Sequence, residues 1–127
     1  MDAETLSRRW LLAAVLYFLI SVCIGTYMGA SGRHELFSVH SHAALLGWVS
    51  MGLTALLYRS FPDTARSRLA ALHFYLYQLA VPAMLVAVAA LVMGRKEAEP
   101  VAGMASVAVL VSVLLFCWIV LGARRSA

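Results

Sequence analysis

The sequence predicts an all-α integral membrane protein built from four transmembrane helices. Hydrophobic residues make up 63% of the chain and charged residues 13%, and the mean hydropathy is +0.86, which is far more apolar than a soluble domain. The apolar residues fall into four blocks, each close to the ~20 residues that cross a hydrocarbon core of ~30 Å as a helix. Because no other long stretch remains, residues 1–127 are predicted to form a single four-helix transmembrane domain in the lipid bilayer.

Prolines and small-residue turns divide the four blocks. Pro62 ends the second helix, because proline disfavours helical backbone in the residue before it. Pro82 lies inside the third helix and predicts a kink that neighbouring helices accommodate. The first and fourth helices are aliphatic and are predicted to be scaffold. The predicted helices cover about residues 10–28, 35–61, 67–93 and 101–122.

The net charge of +4 does not indicate nucleic-acid binding, because the basic residues stand singly or in pairs at the ends of apolar blocks. That placement is typical of topology signals. The count predicts that both termini lie in the cytoplasm and that the second helix begins near the outer face. The expected location is a bacterial inner membrane. The predicted inner set is Arg8, Arg9, Arg59, Arg66, Arg68, Arg124 and Arg125, and the predicted outer set is Arg33, Arg95 and Lys96.

Two histidines, His40 and His42, stand near the outer mouth of the second predicted span. A histidine inside a bilayer is costly unless something binds it. Residues two apart on a helix point about 200° from each other, so two ligands at this spacing would serve different sites. Heme needs only one or two axial imidazoles in an apolar slot, whereas zinc needs four converging ligands, for which only His34 and Glu35 are near. The remaining alternative is that both histidines merely cap the helix at the interface.

Four short segments accompany these histidines: HSHAALLGW at 40–48, LLYRSFP at 56–62, LHFYLY at 72–77 and GRK at 94–96. Together they resemble one region of subunit I of the heme-copper oxidases, from Val39 to about Lys96. The cbb-type cytochrome c oxidases and the nitric oxide reductases are the most similar, because of the Leu-Gly-Trp that follows the histidines. The resemblance implies that His40 matches the ligand of the high-spin heme and His42 the ligand of the low-spin heme.

The same resemblance bears on the basic residues of the outer loops. Arg95 and Lys96 match a basic pair that holds heme propionates in that family, and two cations also suit carboxylates at a low-dielectric edge. Arg33 is a second candidate for this role. The alternative for the pair is an ordinary interfacial anchor.

Two further polar residues lie inside the third predicted span. His73 matches a His-Phe of the family but lies near the opposite membrane face, so it is predicted to be a hydrogen-bonded packing histidine. Gln78 is predicted to form a hydrogen bond between helices.

The chain also departs from the family pattern. Subunit I has twelve helices in three arcs of four, and this chain matches only the last arc. The ligands of the copper centre come from the middle arc, so no copper is expected and no oxidase activity is assigned.

A single arc supplies no second axial ligand, which predicts a homotrimer that imitates one subunit I. His40 of one protomer and His42 of the next would clamp one heme b. Gly47, Gly52 and the small residues near them would let helix and porphyrin approach closely, or would serve plain helix packing. Trp48 and Tyr58 would line the slots or pack. A dimer with heme on its twofold axis is the alternative assembly and uses only one of the histidines.

Three function classes follow from this pattern. The first is a b-type cytochrome with bis-histidine hemes that exchanges electrons with an unknown partner. The second is a gas-binding or heme-handling protein with a five-coordinate heme iron. The third is a heme-free structural subunit that keeps the fold without the cofactor.

Overall fold

The chain is helical almost throughout, as the sequence predicts. A computed structural model describes residues 2–123, with side chains to 122, so Arg124 and Arg125 of the topology count lie outside the described residues. Within the described residues, four helices are long and apolar enough to cross a membrane. The elements in order are α1 (Ala3–Ser31), α2 (Phe37–Ser60), the short α3 (Pro62–Ala65), α4 (Arg68–Val92), a 3₁₀ turn (Lys96–Ala98) and α5 (Glu99–Ala123).

Helix ends follow local chemistry rather than hydropathy alone. The helix α1 begins before the predicted apolar span, because the Asp2 side chain accepts a hydrogen bond from the Thr5 backbone N–H at 2.8 Å and caps the first turn. It ends at Ser31 and is capped by Gly32, whose φ of 67° is readily adopted only by glycine. At the end of α4, Gly94 takes the same conformation with φ 85°, and the Arg95 N–H bonds the carbonyl oxygen of Ala90 at 2.9 Å. Between its ends, α4 continues through Pro82 as one helix.

The middle of α2 is a π-helix, which the sequence pattern did not predict. It covers Ala43–Ser50 and separates the α-helical segments Phe37–His42 and Met51–Ser60. The wider turn leaves carbonyl oxygens open to side chains. The Ser50 hydroxyl donates to the carbonyl of Leu45 at 2.8 Å, and the Tyr77 hydroxyl of α4 donates to the carbonyl of Leu46 at 3.1 Å. Such π segments are frequent at functional sites, and this one follows His42 directly.

Neighbouring helices run antiparallel. In the pair α1–α2, the Ser7 hydroxyl donates to the carbonyl of Ala55, while Ser21 contacts His40. In the pair α4–α5, the Ser112 hydroxyl donates to the carbonyl of His73. The starts of α2 and α5 and the ends of α1 and α4 therefore share one end of the bundle, called here the His40 end. The opposite end is called the Tyr58 end.

All four long helices meet in an aromatic cluster at the Tyr58 end, formed by Trp10, Tyr58, His73 and Phe116. The imidazole of His73 is 1% exposed, stacks on Phe116 with ring centroids 5.0 Å apart, and lies 4.8 Å from Trp10. A hydrogen bond of 2.9 Å joins its Nδ1 to the Tyr58 hydroxyl. His73 is thus a hydrogen-bonded packing histidine, as predicted.

Gln78 also has the predicted kind of partner. Its Nε2 donates to the sulfur of Met51 on α2 at 3.5 Å, so it links two helices inside the bundle.

Candidate functional site

His40 lies in the first turns of α2 and packs against α1. Its Nδ1 donates to the carbonyl oxygen of Ser21 at 2.8 Å, and the Ser21 hydroxyl lies 3.2 Å from the same nitrogen. That hydroxyl in turn donates to the carbonyl oxygen of His40 at 3.3 Å. Ser21 is buried at 4% exposure, whereas His40 is half-buried. The neighbouring helix therefore fixes one edge of the His40 ring.

A glycine makes room for this ring. A Cβ placed on Gly25 of α1 would lie 3.0 Å from Cε1 and 3.3 Å from Nδ1 of His40, which is tighter than side chains normally pack. Ser21 and Gly25 are four residues apart, so they lie on one face of α1. Together they form the surface on which the imidazole rests.

His42 is held in a different way, by its own helix. Its Nδ1 donates to the carbonyl oxygen of Ser38, one turn earlier, at 2.7 Å. The side chain is half-buried. Because a carbonyl oxygen only accepts hydrogen bonds, Nδ1 carries the proton in both His40 and His42, and each Nε2 keeps a free lone pair.

Neither Nε2 atom is sealed inside the protein. Across the side chains that the structure describes, the one fully buried nitrogen or oxygen atom without a partner is Nε1 of Trp10, at the other end of the bundle. An imidazole whose Nδ1–H is tied to a carbonyl while Nε2 is available is the arrangement found in metal-ligating histidines. The site therefore offers two oriented nitrogen ligands.

The described residues contain no group of three or more histidine, cysteine, aspartate or glutamate side chains that could hold a metal ion. His34 and Glu35 therefore do not complete a zinc site with the histidine pair. Heme has a different requirement, because the porphyrin supplies four nitrogen ligands and each axial position needs one imidazole. The donor set of His40 and His42 thus fits heme and does not fit a zinc site within one chain.

Gly47 serves contact within the chain. A Cβ on Gly47 would lie 2.4 Å from Cβ and Cγ of Tyr17, so α1 fills the space above this glycine. Tyr17 occupies that face of Gly47, which favours the alternative that this glycine serves plain helix packing. Trp48 packs on Phe18 of α1 with ring centroids 4.7 Å apart. Both residues instead support the α1–α2 pair that positions His40.

The basic candidates all lie at the His40 end. The guanidinium Nε of Arg33 donates to the Glu35 carboxylate at 3.0 Å, and this hydrogen bond raises the pKa of Arg33. Arg95 follows Gly94 and Lys96 begins the 3₁₀ turn, both exposed to solvent. Among residues 2–122, no ion pair involves Arg95 or Lys96. They are therefore better placed than Arg33 to bind an added carboxylate.

Two surface pockets lie elsewhere, both bordered by α4 and α5. One, of about 230 Å³, is lined by α3, the start of α4 and the end of α5. The other, of about 300 Å³, is an apolar groove between Leu76–Ala83 of α4 and Val101–Ala108 of α5. Neither pocket includes His40 or His42.

Sequence reasoning missed Ser21 and Gly25 by treating α1 as scaffold. Their spacing was the available signal, because two small residues four apart in an aliphatic helix mark a face where another helix approaches closely. Which helix, and which side chain on it, could not be read from that pattern.

No protein-family model, curated protein or solved structure matches this chain. The likeness to heme-copper oxidase subunit I therefore rests on the four quoted segments.

Proposed function

We propose that this chain is a heme b-binding membrane cytochrome in which His40 and His42 are axial ligands. The observation that carries the proposal is the pair of Nδ1 hydrogen bonds to backbone carbonyls, at 2.8 Å to Ser21 and 2.7 Å to Ser38. Each bond leaves Nε2 as the coordinating atom and orients the ring before any ligand arrives. Bound heme b would supply one-electron redox chemistry, with an electron donor or acceptor still to be found.

The proposed assembly is a homotrimer in which His40 of one protomer and His42 of the next bind the same heme. Two observations support an arrangement between chains. The two histidines are only two residues apart, which places them on different sides of α2. The hydrogen-bond acceptors of the two rings also lie on different helices, since the Nδ1 of His40 donates to α1 and the Nδ1 of His42 donates to the backbone of α2. The proposed arc of four helices would thus be one third of a ring like subunit I.

Arg95 and Lys96 are the proposed partners of the heme propionates, because they carry free positive charge at the His40 end. We propose that this end faces outward and that both termini are cytoplasmic, on the count of basic residues in the loops. The proposed location is a bacterial inner membrane. Copper is not part of the proposal, since the chain has no counterpart of the family's copper ligands.

The visible spectrum of the purified protein tests heme binding. The wild type expressed with ample heme should show a low-spin b-type spectrum that does not change with carbon monoxide. His40→Ala and His42→Ala should each lose heme, whereas His34→Ala, which removes an exposed histidine at the same end, should not. A colourless wild type would contradict the proposal, and a carbon monoxide response would favour the five-coordinate alternative.

Co-expression of the His40→Ala and His42→Ala chains tests the shared ligation. A mixed trimer has one interface of three that combines an intact His40 with an intact His42, so random mixing should restore about a quarter of the wild-type heme. Ligation by one chain alone predicts no recovery. In a dimer with heme on its twofold axis, one of the two single variants would keep full heme content. A native mass that is inconsistent with three chains would contradict the proposed trimer, but it would not contradict heme binding.

A further inference from the structure

We propose that Ser21 and Gly25 of α1 are the positioning residues for His40, so that the binding strength of this ligand is set by a helix that carries no ligand of its own. This inference rests on the proposed function of His40 as an axial ligand. It assigns to α1 a specific role beyond that of scaffold.

The first step is the fit of the ring against Gly25. Because a Cβ at this position would lie 3.0 Å from Cε1 and 3.3 Å from Nδ1, the imidazole rests directly on the α1 backbone. An alanine there requires the ring or the helix to move by a few tenths of an ångström. The ring edge at Cε1 meets Gly25, and the Nε2 lone pair lies next to it, so such a shift re-aims the coordinating atom.

The second step is the selection of the tautomer by Ser21. The Nδ1–H lies within reach of two oxygen atoms of Ser21, the carbonyl at 2.8 Å and the hydroxyl at 3.2 Å. The hydroxyl proton is directed to the carbonyl of His40 at 3.3 Å, which leaves a hydroxyl lone pair facing Nδ1. An Nδ1 without a proton would face the lone pairs of the Ser21 carbonyl oxygen at 2.8 Å, which cannot donate a hydrogen bond. The contact therefore stabilises the tautomer with Nε2 free.

The third step is the contrast with His42, whose Nδ1 partner is the Ser38 carbonyl of its own helix. A change on α1 leaves that hydrogen bond in place. Disturbing α1 should accordingly weaken one axial ligand and spare the other, a selectivity that general destabilisation of the fold would not produce.

The test compares Gly25→Ala with Gly29→Ala, one turn further along α1, where a Cβ would meet nothing within 4 Å. We expect Gly25→Ala to lower heme affinity by about 10–100-fold, the usual range for a lost outer-shell support, and Gly29→Ala to leave it unchanged. In the heme that remains, the g values of the low-spin ferric signal should change, because they report the orientation of the axial imidazoles. Added imidazole should restore a six-coordinate spectrum if only the His40 position is impaired.

A second measurement does not need heme. In the heme-free protein, the ¹⁵N shifts of the His40 ring should show the Nδ1–H tautomer in wild type and Gly29→Ala, and a larger share of the Nε2–H tautomer in Gly25→Ala. Wild-type shifts in Gly25→Ala, with unchanged heme affinity, would overturn the role of Gly25. Absence of heme from wild type and every variant would instead overturn the proposed function.

The variant Ser21→Ala distinguishes the role of the Ser21 hydroxyl from that of the Ser21 carbonyl oxygen. The carbonyl acceptor remains and the hydroxyl is lost, so we expect heme to stay bound while the reduction potential rises slightly, because less hydrogen-bond donation makes the imidazole a weaker electron donor to the iron. Ser106→Ala on α5, which removes an exposed hydroxyl that bonds its own helix, is the matched control and should leave the potential unchanged. An equal potential in Ser21→Ala and wild type would contradict the role of the Ser21 hydroxyl.

Discussion

The side chain of Tyr17 crosses Gly47 so closely that no other residue type fits at position 47 without movement. The Cβ of any larger residue would lie 2.4 Å from two Tyr17 carbon atoms. This crossing lies between the His40 support at Ser21 and the aromatic cluster at Trp10 along α1. It therefore fixes the spacing of α1 and α2 on which the geometry of His40 depends.

Gly47→Ala should accordingly destabilise the protein by about 1–3 kcal/mol, the usual cost of overpacking a filled interior. The matched control is Gly52→Ala on the same helix, where the new Cβ would lie 3.9 Å from the Cβ of Ala14, an ordinary contact. We expect this control to be neutral or slightly stabilising, because alanine favours helix over glycine. Thermal unfolding in detergent measures both variants, and equal stability of the two would contradict the crossing.

Tyr58→Phe should also destabilise the protein, through His73. The change removes the hydroxyl 2.9 Å from Nδ1 and leaves that nitrogen buried without its partner, at a cost of about 1–3 kcal/mol. Tyr75→Phe on α4 is the control, because Tyr75 is 53% exposed. Unfolding of the two variants under identical conditions measures the difference, and a stability loss in Tyr75→Phe as large as in Tyr58→Phe would count against the hydrogen bond as the cause.

The ion pair between Arg33 and Glu35 predicts that folding stability depends on pH over a narrow acidic range. The backbone N–H of Glu35, followed by the Arg33 guanidinium, lowers the pKa of the Glu35 carboxyl below its ordinary value of 4.5. The folded state therefore binds fewer protons at this group than the unfolded state does. The small contribution to stability is present above that ordinary value and is lost as the pH falls through the lower folded pKa. A ¹³C titration of the Glu35 carboxyl should give a pKa below 4.5 in wild type and a higher one in Arg33→Gln.

Removal of positive charge at the His40 end should lower the reduction potential of the proposed heme. Arg95→Gln and Lys96→Gln each remove a cation that disfavours the more positive ferric state, and we expect shifts on the order of tens of millivolts at low salt and smaller shifts at high salt. Arg59→Gln removes an exposed cation at the Tyr58 end and is the control. A redox titration measures all three variants, and equal potentials in wild type, Arg95→Gln and Lys96→Gln would argue against these cations as propionate partners.

Much of the fold could be read from the sequence because the relevant forces are local. Hydropathy and length set the four membrane-length helices, and the breaks near Gly32, Pro62 and Gly94 follow from backbone preferences of single residues. The burial of His73 was also predictable, since a histidine in an apolar helix must find a partner. The π-helix of α2 was not, because its apolar pattern is compatible with an ordinary α-helix.

Some features of the candidate site could likewise be predicted from the sequence, and others could not. The sequence by itself determined that His40 and His42 stand two apart near one end of an apolar helix, and the Ser38 carbonyl lies one turn before His42 in any helix of this register. Only the tertiary structure decided that Ser21 and Gly25 hold His40 and that Tyr17 fills the space at Gly47. The physical reason is that hydropathy determines which segments enter the bilayer, whereas close packing between particular helix faces determines which side chains meet there.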